Sequence, residues 1–315
     1  MTRFQSFAVL GGATMDHAAA TLRPPVPGAS NPGVARTSPG GVGLNVARDL
    51  ARLGERVRLV SRVGADADGA AVLAAISADG IDTRGTLTSA DARTATYRAA
   101  FDHTGDLIIG IADMAVFDEI TPGTVAPALD AATAGEAFVV DANLPAATLA
   151  AIVARAASDD RPIAAIAVSP AKAVKLIPLL PSLALLFATR REAAALLGRD
   201  NDPAVPTADL ARMLSGRGMA GVLVTDSARP LAAAAMDGTV RQFTPLPVAL
   251  QSVNGAGDAL AAGTLHGLAR GNALFEAIPF GLAAAAITVE EDDTVAAGLT
   301  PAAIGARIAK AGVTT

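Results

Sequence analysis

The sequence contains no cysteine among its 315 residues. Disulfide bonds, thiolate catalysis and cysteine-ligated metals are therefore excluded. Its three histidines, His17, His103 and His266, are far apart along the chain and lack the spacing of metal ligands. A histidine-based metal site is therefore not predicted.

Strongly basic runs and long apolar runs are also missing. The formal net charge is −5 at pH 7, so neither a nucleic-acid surface nor an anionic-membrane surface is expected. The mean hydropathy of +0.42 comes largely from alanine, and prolines or acids interrupt each apolar stretch before about 18 residues. The apolar N-terminal stretch is too short for a signal peptide and runs into Gly11, Gly12 and Asp16. We expect a soluble, cytoplasmic protein.

Several familiar motifs are absent. No G-x-x-x-x-G-K-[ST] sequence occurs, and the protein-kinase motifs and G-x-S-x-G are missing as well. Gly40, Gly41 and Gly43 open a helical pattern, but they follow a loop rather than a strand and lack the dinucleotide-binding spacing. Glycines at a helix start let a ligand approach the backbone closely.

The remaining pattern predicts an α/β fold. Short apolar runs such as FAVLGG and GVLVTD alternate with helical ones such as GVGLNVARDLARLG, as in a largely parallel sheet. Two segments break the alternation. Residues 17–38 are rich in proline and glycine, and residues 93–113 predict a hairpin around DHTGD. Together they predict a small sheet inserted into the α/β domain.

Polar residues follow several of the predicted strands. They are Asp16, Asp141, Asn143, Ser169, Glu192 and Asp226. Any one of them is explained by a turn or a helix cap. Because ligands bind beyond the carboxyl ends of parallel strands, the six together favour a shared polar cleft.

The segment LQSVNGAGDALAAGTLHGLARG places three small residues, Gly255 to Gly257, directly before Asp258. A helix N-terminus gathers unpaired N–H groups and partial positive charge, which suits an anion. Asp258 alone is explained as a helix cap. A phosphate site with a base beside it explains the whole segment.

These motifs together resemble the ribokinase-like (PfkB) carbohydrate kinases over nearly the full chain. The resemblance rests on GGATMD, PGGVGLNVARDLARLG, the two lid segments and NGAGD, in that order. It implies a three-layer α/β/α fold with a mostly parallel central sheet and a small β-sheet lid. Residues 1–16, 39–92 and 114–315 would form the catalytic core, and residues 17–38 and 93–113 the lid.

Within the family, SNPGVARTSPGGVGLNVA, TYRAAFDHTGDLIIGIADM, DANL and SVNGAGD are most similar to the pseudouridine kinases. The resemblance implies that Asp258 is the base that deprotonates the sugar 5′-hydroxyl. Gly255, Ala256 and Gly257 would hold the phosphoryl charge with backbone N–H groups. The implied acceptor-binding positions are Asp16, Thr14, Gly40, Gly41, Asn45, Thr94, Asp113 and Asn143. Among these, Thr94 and Asp113 would contact the base from the lid side.

On the donor side, the resemblance implies ATP as co-substrate and Mg²⁺ as cofactor, with Glu192 acting on Mg²⁺ through water. The implied nucleotide-binding positions are Thr189, Thr225, Ser227, Gly255 and Gly257. Three departures from the family pattern weaken this side. Thr189 replaces an asparagine, and Ser227 and Pro230 stand where glycines are expected. Ser252 replaces an acid that often supports a monovalent cation, so a potassium requirement is not expected.

The resulting prediction is an ATP-dependent kinase that converts pseudouridine to pseudouridine 5′-phosphate. Ribose, another nucleoside or a ketosugar acid is an alternative acceptor, and a nucleoside-binding protein without catalysis is an alternative class. The apolar lid predicts a homodimer through its sheet. Lys172 and Lys175 either face solvent or reach the cleft, and the sequence leaves both open.

Overall fold

A computed structural model describes residues 4–311. The strands in chain order are β1 (Ser6–Leu10), β2 (Thr14–Thr21), β3 (Gly33–Gly40), β4 (Val57–Gly64), β5 (Asp82–Ser89), β6 (Thr96–Phe101), β7 (Leu107–Asp113), β8 (Glu136–Asp141), β9 (Ile163–Ile166), β10 (Leu185–Thr189), β11 (Gly221–Asp226), β12 (Arg229–Ala235) and β13 (Val240–Phe243).

The helices alternate with the strands over most of the chain. They are α1 (Val42–Arg52), α2 (Ala67–Ala78), α3 (Pro122–Asp130), α4 (Ala146–Ser158), α5 (Pro170–Ala173), α6 (Arg190–Leu196), α7 (Thr207–Ser215), α8 (Ala256–Ala269), α9 (Leu274–Thr288) and α10 (Pro301–Lys310), with 3-10 segments at Ala115–Glu119 and Val174–Ser182. None of these helices is both long enough and apolar enough to span a bilayer.

The larger sheet has nine strands in the order β13-β12-β11-β10-β9-β8-β1-β4-β5. Seven of these strands pair in parallel, namely β11, β10, β9, β8, β1, β4 and β5. At the other end of the sheet, β12 and β13 are antiparallel strands. The predicted α/β fold with a mostly parallel sheet is confirmed. Parallel strands present their carboxyl ends at one edge, which is where the candidate site lies.

Helices cover both faces of this sheet, since successive strand residues point to opposite sides. Ala8 and Leu10 of β1 pack with α3, α4, α6 and α7 in one buried cluster. Phe7 and Val9 of the same strand pack with α1, α2, α8 and α9 in the other. Apolar residues on both faces of the strands explain the continuous apolar runs of the sequence.

The smaller sheet has four strands in the order β3-β2-β6-β7. The β6–β7 hairpin around DHTGD forms as predicted. β2 begins at Thr14 and β3 ends at Gly40, so the sheet reaches closer to the core than the segment 17–38 indicates. We call this four-stranded sheet the lid.

Candidate active site

The N-terminus of α8 carries the NGAGD motif. Gly255 is the N-cap residue and has a left-handed backbone with φ of 77°. A Cβ atom at this position would overlap the carbonyl oxygen of Thr294. Glycine is therefore required here twice, by the backbone angle and by close packing. The turn exposes the backbone N–H groups at the start of α8.

Asp258 lies in the first turn of α8, and the one side-chain hydrogen bond it makes within residues 4–311 goes to another helix. Its Oδ2 atom accepts a hydrogen bond from Asn45 Nδ2 at 2.8 Å. Asn45 is only 5% exposed, and Thr294 Oγ1 donates to its Oδ1 atom at 3.5 Å. The interpretation of Asp258 as a simple cap is therefore wrong, because α1 rather than its own helix holds the carboxylate.

The surroundings of Asp258 favour its protonated form. The pKa of Asp258 is raised to about 7: burial is the main cause, the hydrogen bond from Asn45 opposes it, and the charges of Asp141, Asp16 and Glu192 add to it. A carboxylate with a pKa close to the working pH suits general base catalysis.

Asp16 lies beside this carboxylate, on the strand β2 of the lid. Thr14 Oγ1 donates to Asp16 Oδ1 at 2.8 Å, and burial raises the pKa of Asp16. A Cβ atom at Gly40 would overlap the Asp16 carboxylate, so glycine there keeps the pocket open. Gly41 is the N-cap residue of α1, which leads directly to Asn45. The structure thus gathers most of the predicted acceptor residues around Asp258.

Asp141 and Asn143 lie at the end of β8. The buried Asp141 carboxylate accepts the backbone N–H groups of Gly12 at 2.7 Å and Asn143 at 2.8 Å. It therefore joins the turn after β1 to the turn after β8. Lys172 Nζ donates to Asn143 Oδ1 at 2.5 Å. Of the two alternatives that the sequence left open for Lys172, the structure supports contact with the cleft.

Tyr97, the single tyrosine of the chain, was not predicted as a site residue. It pairs directly with Asp16 across β2 and β6, so the two side chains share one face of the lid. A Cβ atom at Gly110 would overlap the tyrosine hydroxyl, so the ring lies over a glycine of β7. Only the strand register reveals this placement, and the sequence signal was limited to a lone aromatic in a lid strand.

Thr94 and Asp113 are not brought into the same cleft. Thr94 is 2% exposed, and its hydroxyl donates to Asp66 Oδ1 at 2.6 Å and accepts the N–H of Gly64 at 2.9 Å. Asp113 pairs with Thr96, one residue out of phase with Tyr97, and therefore lies on the opposite face of the lid. Both residues line a polar cavity of about 200 Å³ between that face and α2. The predicted contact of Thr94 with the base has no support in this geometry.

The donor side begins at the end of β10. Thr189 N-caps α6, and its backbone N–H donates to Glu192 Oε2 at 2.7 Å in a capping box. Burial raises the pKa of Glu192. No group of three or more acidic or histidine side chains placed to hold a metal occurs within residues 4–311. The other carboxylate oxygen of Glu192, Oε1, has no hydrogen bond from the part of the chain that the structure describes, which fits a Mg²⁺ ion held mainly by water and phosphate oxygens.

The neighbouring strand β11 carries the other predicted nucleotide-binding residues. Thr225 pairs with Thr189, so these two threonines lie side by side at the sheet edge. Asp226 pairs with Arg229 across a two-residue turn, in which Ser227 has a left-handed φ of 54°. The side chain of Arg190 donates to Asp226 Oδ2 at 2.9 Å. A tight hairpin thus replaces the glycine-containing loop of the family pattern.

Comparison with known proteins identifies this arrangement. The model of the pfkB family carbohydrate kinases matches residues 5–300. The chain belongs to this family. A PfkB kinase transfers a phosphoryl group from ATP to a sugar or nucleoside, and the fold described above is that of such an enzyme.

Individual relatives agree with this assignment. The pseudouridine kinase of Escherichia coli strain K12 is 30% identical over 234 residues, which are 74% of this chain and 74% of its own length. A carbohydrate kinase from Agrobacterium tumefaciens has a TM-score of 0.85 at 35% identity, covering 97% of both chains. Arabidopsis thaliana ribokinase complexed with ribose and ATP shares the fold, with a TM-score of 0.80 at 18% identity over 98% of this chain and 99% of its own.

Proposed function

We propose that this PfkB kinase phosphorylates the 5′-hydroxyl of a nucleoside, and that pseudouridine is its acceptor. The observation that carries the proposal is the placement of Tyr97 beside Asp16, a carboxylate close enough to Asp258 to raise its pKa. An aromatic ring suits a planar base, while a carboxylate suits sugar hydroxyls. The E. coli relative named a pseudouridine kinase supports this choice of acceptor.

In the proposed reaction, Asp258 accepts the proton of the 5′-hydroxyl as that oxygen attacks the γ-phosphorus of ATP. The backbone N–H groups of Gly255, Ala256 and Gly257 stabilise the negative charge of the transferring group. Asn45 holds Asp258 in place by its 2.8 Å hydrogen bond. Because its amide nitrogen binds Asp258, we assign Asn45 two roles: it positions the catalytic base and it contacts the acceptor.

The sugar hydroxyls are assigned to Asp16, Thr14 and the open backbone at Gly40 and Gly41, with Asn143 beneath them. We assign the contact with the nucleobase to Tyr97 rather than to Thr94, because the threonine hydroxyl is hydrogen-bonded to Asp66 and Gly64. Asp113 stays assigned to the polar cavity on the other face of the lid.

On the donor side, we assign ATP to the edge formed by Thr189, Thr225, Ser227 and the α8 N-terminus. Mg²⁺, when bound with ATP, neutralises phosphate charge, and Glu192 would reach it through water. Activity without potassium is expected, because Ser252 stands where an acid would support the ion. Its hydroxyl instead accepts the N–H of Asn254 at 3.2 Å.

The tight hairpin at Ser227 favours one rival function, a nucleoside-binding protein with an impaired ATP site. Pro230 is the second residue of β12, next to this turn, and offers no N–H to a phosphate. Isothermal titration calorimetry separates the two functions. Micromolar Mg-ATP binding supports the enzyme, and nucleoside binding without Mg-ATP binding supports the rival.

We also propose that the chain forms a homodimer through the lid. All seven residues of the edge strand β7 are exposed, including Leu107, Ile109 and Ile111, which are each more than half exposed. An unpaired apolar edge strand favours pairing with a second copy. Sedimentation of the protein as a strict monomer at micromolar concentration would contradict this proposal.

The acceptor is tested by measuring ADP release from Mg-ATP with pseudouridine, uridine, ribose, a ketosugar acid or no acceptor. We expect turnover with pseudouridine to exceed all others, with a 5′-phosphate as the product by mass spectrometry. Faster turnover with another acceptor would keep the kinase and overturn the assignment of pseudouridine.

A further inference from the structure

Lys172 is a half-buried cation at the carboxyl edge of the large sheet. It belongs to the short helix α5, which follows β9 directly. Its Nζ atom donates to Asn143 Oδ1 at 2.5 Å, and its charge lowers the pKa of the buried Asp141, a pKa that burial raises overall. An ammonium group has three donors, so two remain for a ligand.

The position of β9 places Lys172 between residues assigned to the two halves of the site. β9 pairs with β8 on one side and with β10 on the other. The turn after β8 carries Asn143, on the acceptor side. The turn after β10 carries Thr189 and Glu192, on the donor side, and α5 packs against α6 there. Lys172 therefore lies between the strand ends that carry the acceptor-side and donor-side residues.

The cleft is rich in acidic side chains, so a cation beside bound phosphates would offset the repulsion between these negative charges. The carboxylates of Asp141, Asp16 and Glu192 lie close enough to Asp258 to raise its pKa. Two of the neighbouring cations are engaged elsewhere. Arg190 binds Asp226 and the carbonyl oxygens of Asp202 and Val205.

Lys175, one turn beyond Lys172, is the second of these engaged cations. It donates to the carbonyl oxygen of Leu144 at 2.7 Å, and desolvation lowers its pKa. Its amine therefore contacts the backbone at the residue after Asn143. The two residues are both half-buried lysines, but Lys172 contacts a side chain and Lys175 contacts backbone.

We propose that Lys172 contacts the γ-phosphoryl group of bound ATP and stabilises it during transfer. The inference rests on the kinase activity and not on the identity of the acceptor. In the step, the bond from the γ-phosphorus to the β–γ bridging oxygen breaks, and the bond from the acceptor oxygen to phosphorus forms. The hydroxyl proton goes to Asp258, ADP leaves with the bridging oxygen, and Lys172 keeps its own protons throughout.

The test compares Lys172→Met with Lys175→Met, using calorimetric binding of Mg-ATP and Mg-ADP in the full-length protein without acceptor. We expect Lys172→Met to weaken Mg-ATP binding by about tenfold while Mg-ADP binding stays within twofold. A contact with the transferring group also predicts a fall in kcat of about 100-fold or more, measured with whichever acceptor is turned over fastest. Lys175→Met should change neither quantity.

Unchanged Mg-ATP binding in Lys172→Met would overturn the proposal. An equal loss of Mg-ATP and Mg-ADP binding would also overturn it, because that result indicates a general structural defect. Lys172→Arg provides a further arm, since it keeps the charge and should recover part of the preference for ATP over ADP. If pseudouridine fails as an acceptor, these binding ratios still decide the role of Lys172.

Discussion

Asn45 and Asp258, 213 positions apart in the sequence, are joined by a hydrogen bond of 2.8 Å between the amide nitrogen and the carboxylate. The bond connects the first turn of α1 to the first turn of α8. It fixes the proposed base relative to the glycine-rich turn that precedes it. The site is thus assembled by two helix N-termini that lie on the same side of the large sheet.

Replacing Asn45 with leucine should move the pH dependence of the reaction. The amide N–H stabilises the ionised carboxylate and so lowers the pKa of Asp258, which is raised overall to about 7, mainly by burial. Without this bond the pKa rises further, and the base is protonated over a wider acidic range. The acidic limb of kcat/KM should therefore lie near pH 7 in the wild type and at higher pH in Asn45→Leu. Coincident limbs would show that the hydrogen bond does not set the ionisation of the base.

Gly255→Ala and Gly257→Ala should differ sharply in stability. An alanine at position 255 would need a left-handed backbone and would overlap the Thr294 carbonyl oxygen, whereas a Cβ atom at Gly257 has no atom within 4 Å. We expect Gly255→Ala to lower the melting temperature by several degrees, since strain of this kind costs about 1–3 kcal/mol. Gly257→Ala should melt like the wild type. Equal melting temperatures for all three proteins would refute the described turn.

Asp49→Asn should stabilise the protein at neutral pH. Asp49 is fully buried, and neither carboxylate oxygen has a hydrogen-bond partner in the described structure. Desolvation, followed by the charge of Asp258, raises its pKa well above the usual value, although Arg52 and Arg48 oppose this and Asp79 adds to it.

The raised pKa of Asp49 determines how the stability of the protein changes with pH. A raised folded-state pKa means that stability is fully present below the unfolded pKa of roughly 4 and is lost as pH rises toward the folded pKa. Asparagine does not ionise, so the melting temperature of Asp49→Asn should exceed that of the wild type at pH 8 and approach it near pH 4. The exposed Asp200→Asn is the control, with no such trend. Parallel pH dependence of wild type and Asp49→Asn would argue against a neutral buried acid.

Tyr97→Ala should weaken the binding of nucleoside acceptors but not the binding of ribose. Stacking of an aromatic side chain on a base is worth about 1–3 kcal/mol, which corresponds to a rise in the nucleoside KM of about fivefold to 100-fold. Tyr97→Phe retains the ring and should keep the wild-type KM. Any turnover of ribose, which lacks a base, should be unaffected. A similar loss for ribose and nucleoside would assign Tyr97 to the packing of the lid instead.

The sequence predicts the large sheet well because its strands are apolar on both faces and end in polar residues. It also predicts the NGAGD turn and the cluster around Asp16, since helix N-termini and strand ends have clear local signals. The placement of Tyr97 was not predictable. The lid strand β2 contains three consecutive alanines, and β3 contains two glycines and a proline. Neither has a clear alternating pattern, so their register and faces cannot be inferred.

Other misses have the same physical origin. Thr94 resembles a free lid residue in the sequence, but long-range pairing buries its hydroxyl against Asp66. Asn45 meets Asp258 only because α1 and α8 pack side by side. Such contacts depend on tertiary packing, which local sequence patterns do not determine.

The most direct test of the proposed mechanism measures ADP release with the preferred acceptor for the wild type and Asp258→Asn, with calorimetry of acceptor and Mg-ATP binding on both. We predict a fall in kcat of about 10²–10⁴-fold in the variant, with both affinities retained, because the amide keeps the shape of the side chain but cannot take the proton. A variant that binds both ligands and turns over within a few fold of the wild type would show that Asp258 is not the base.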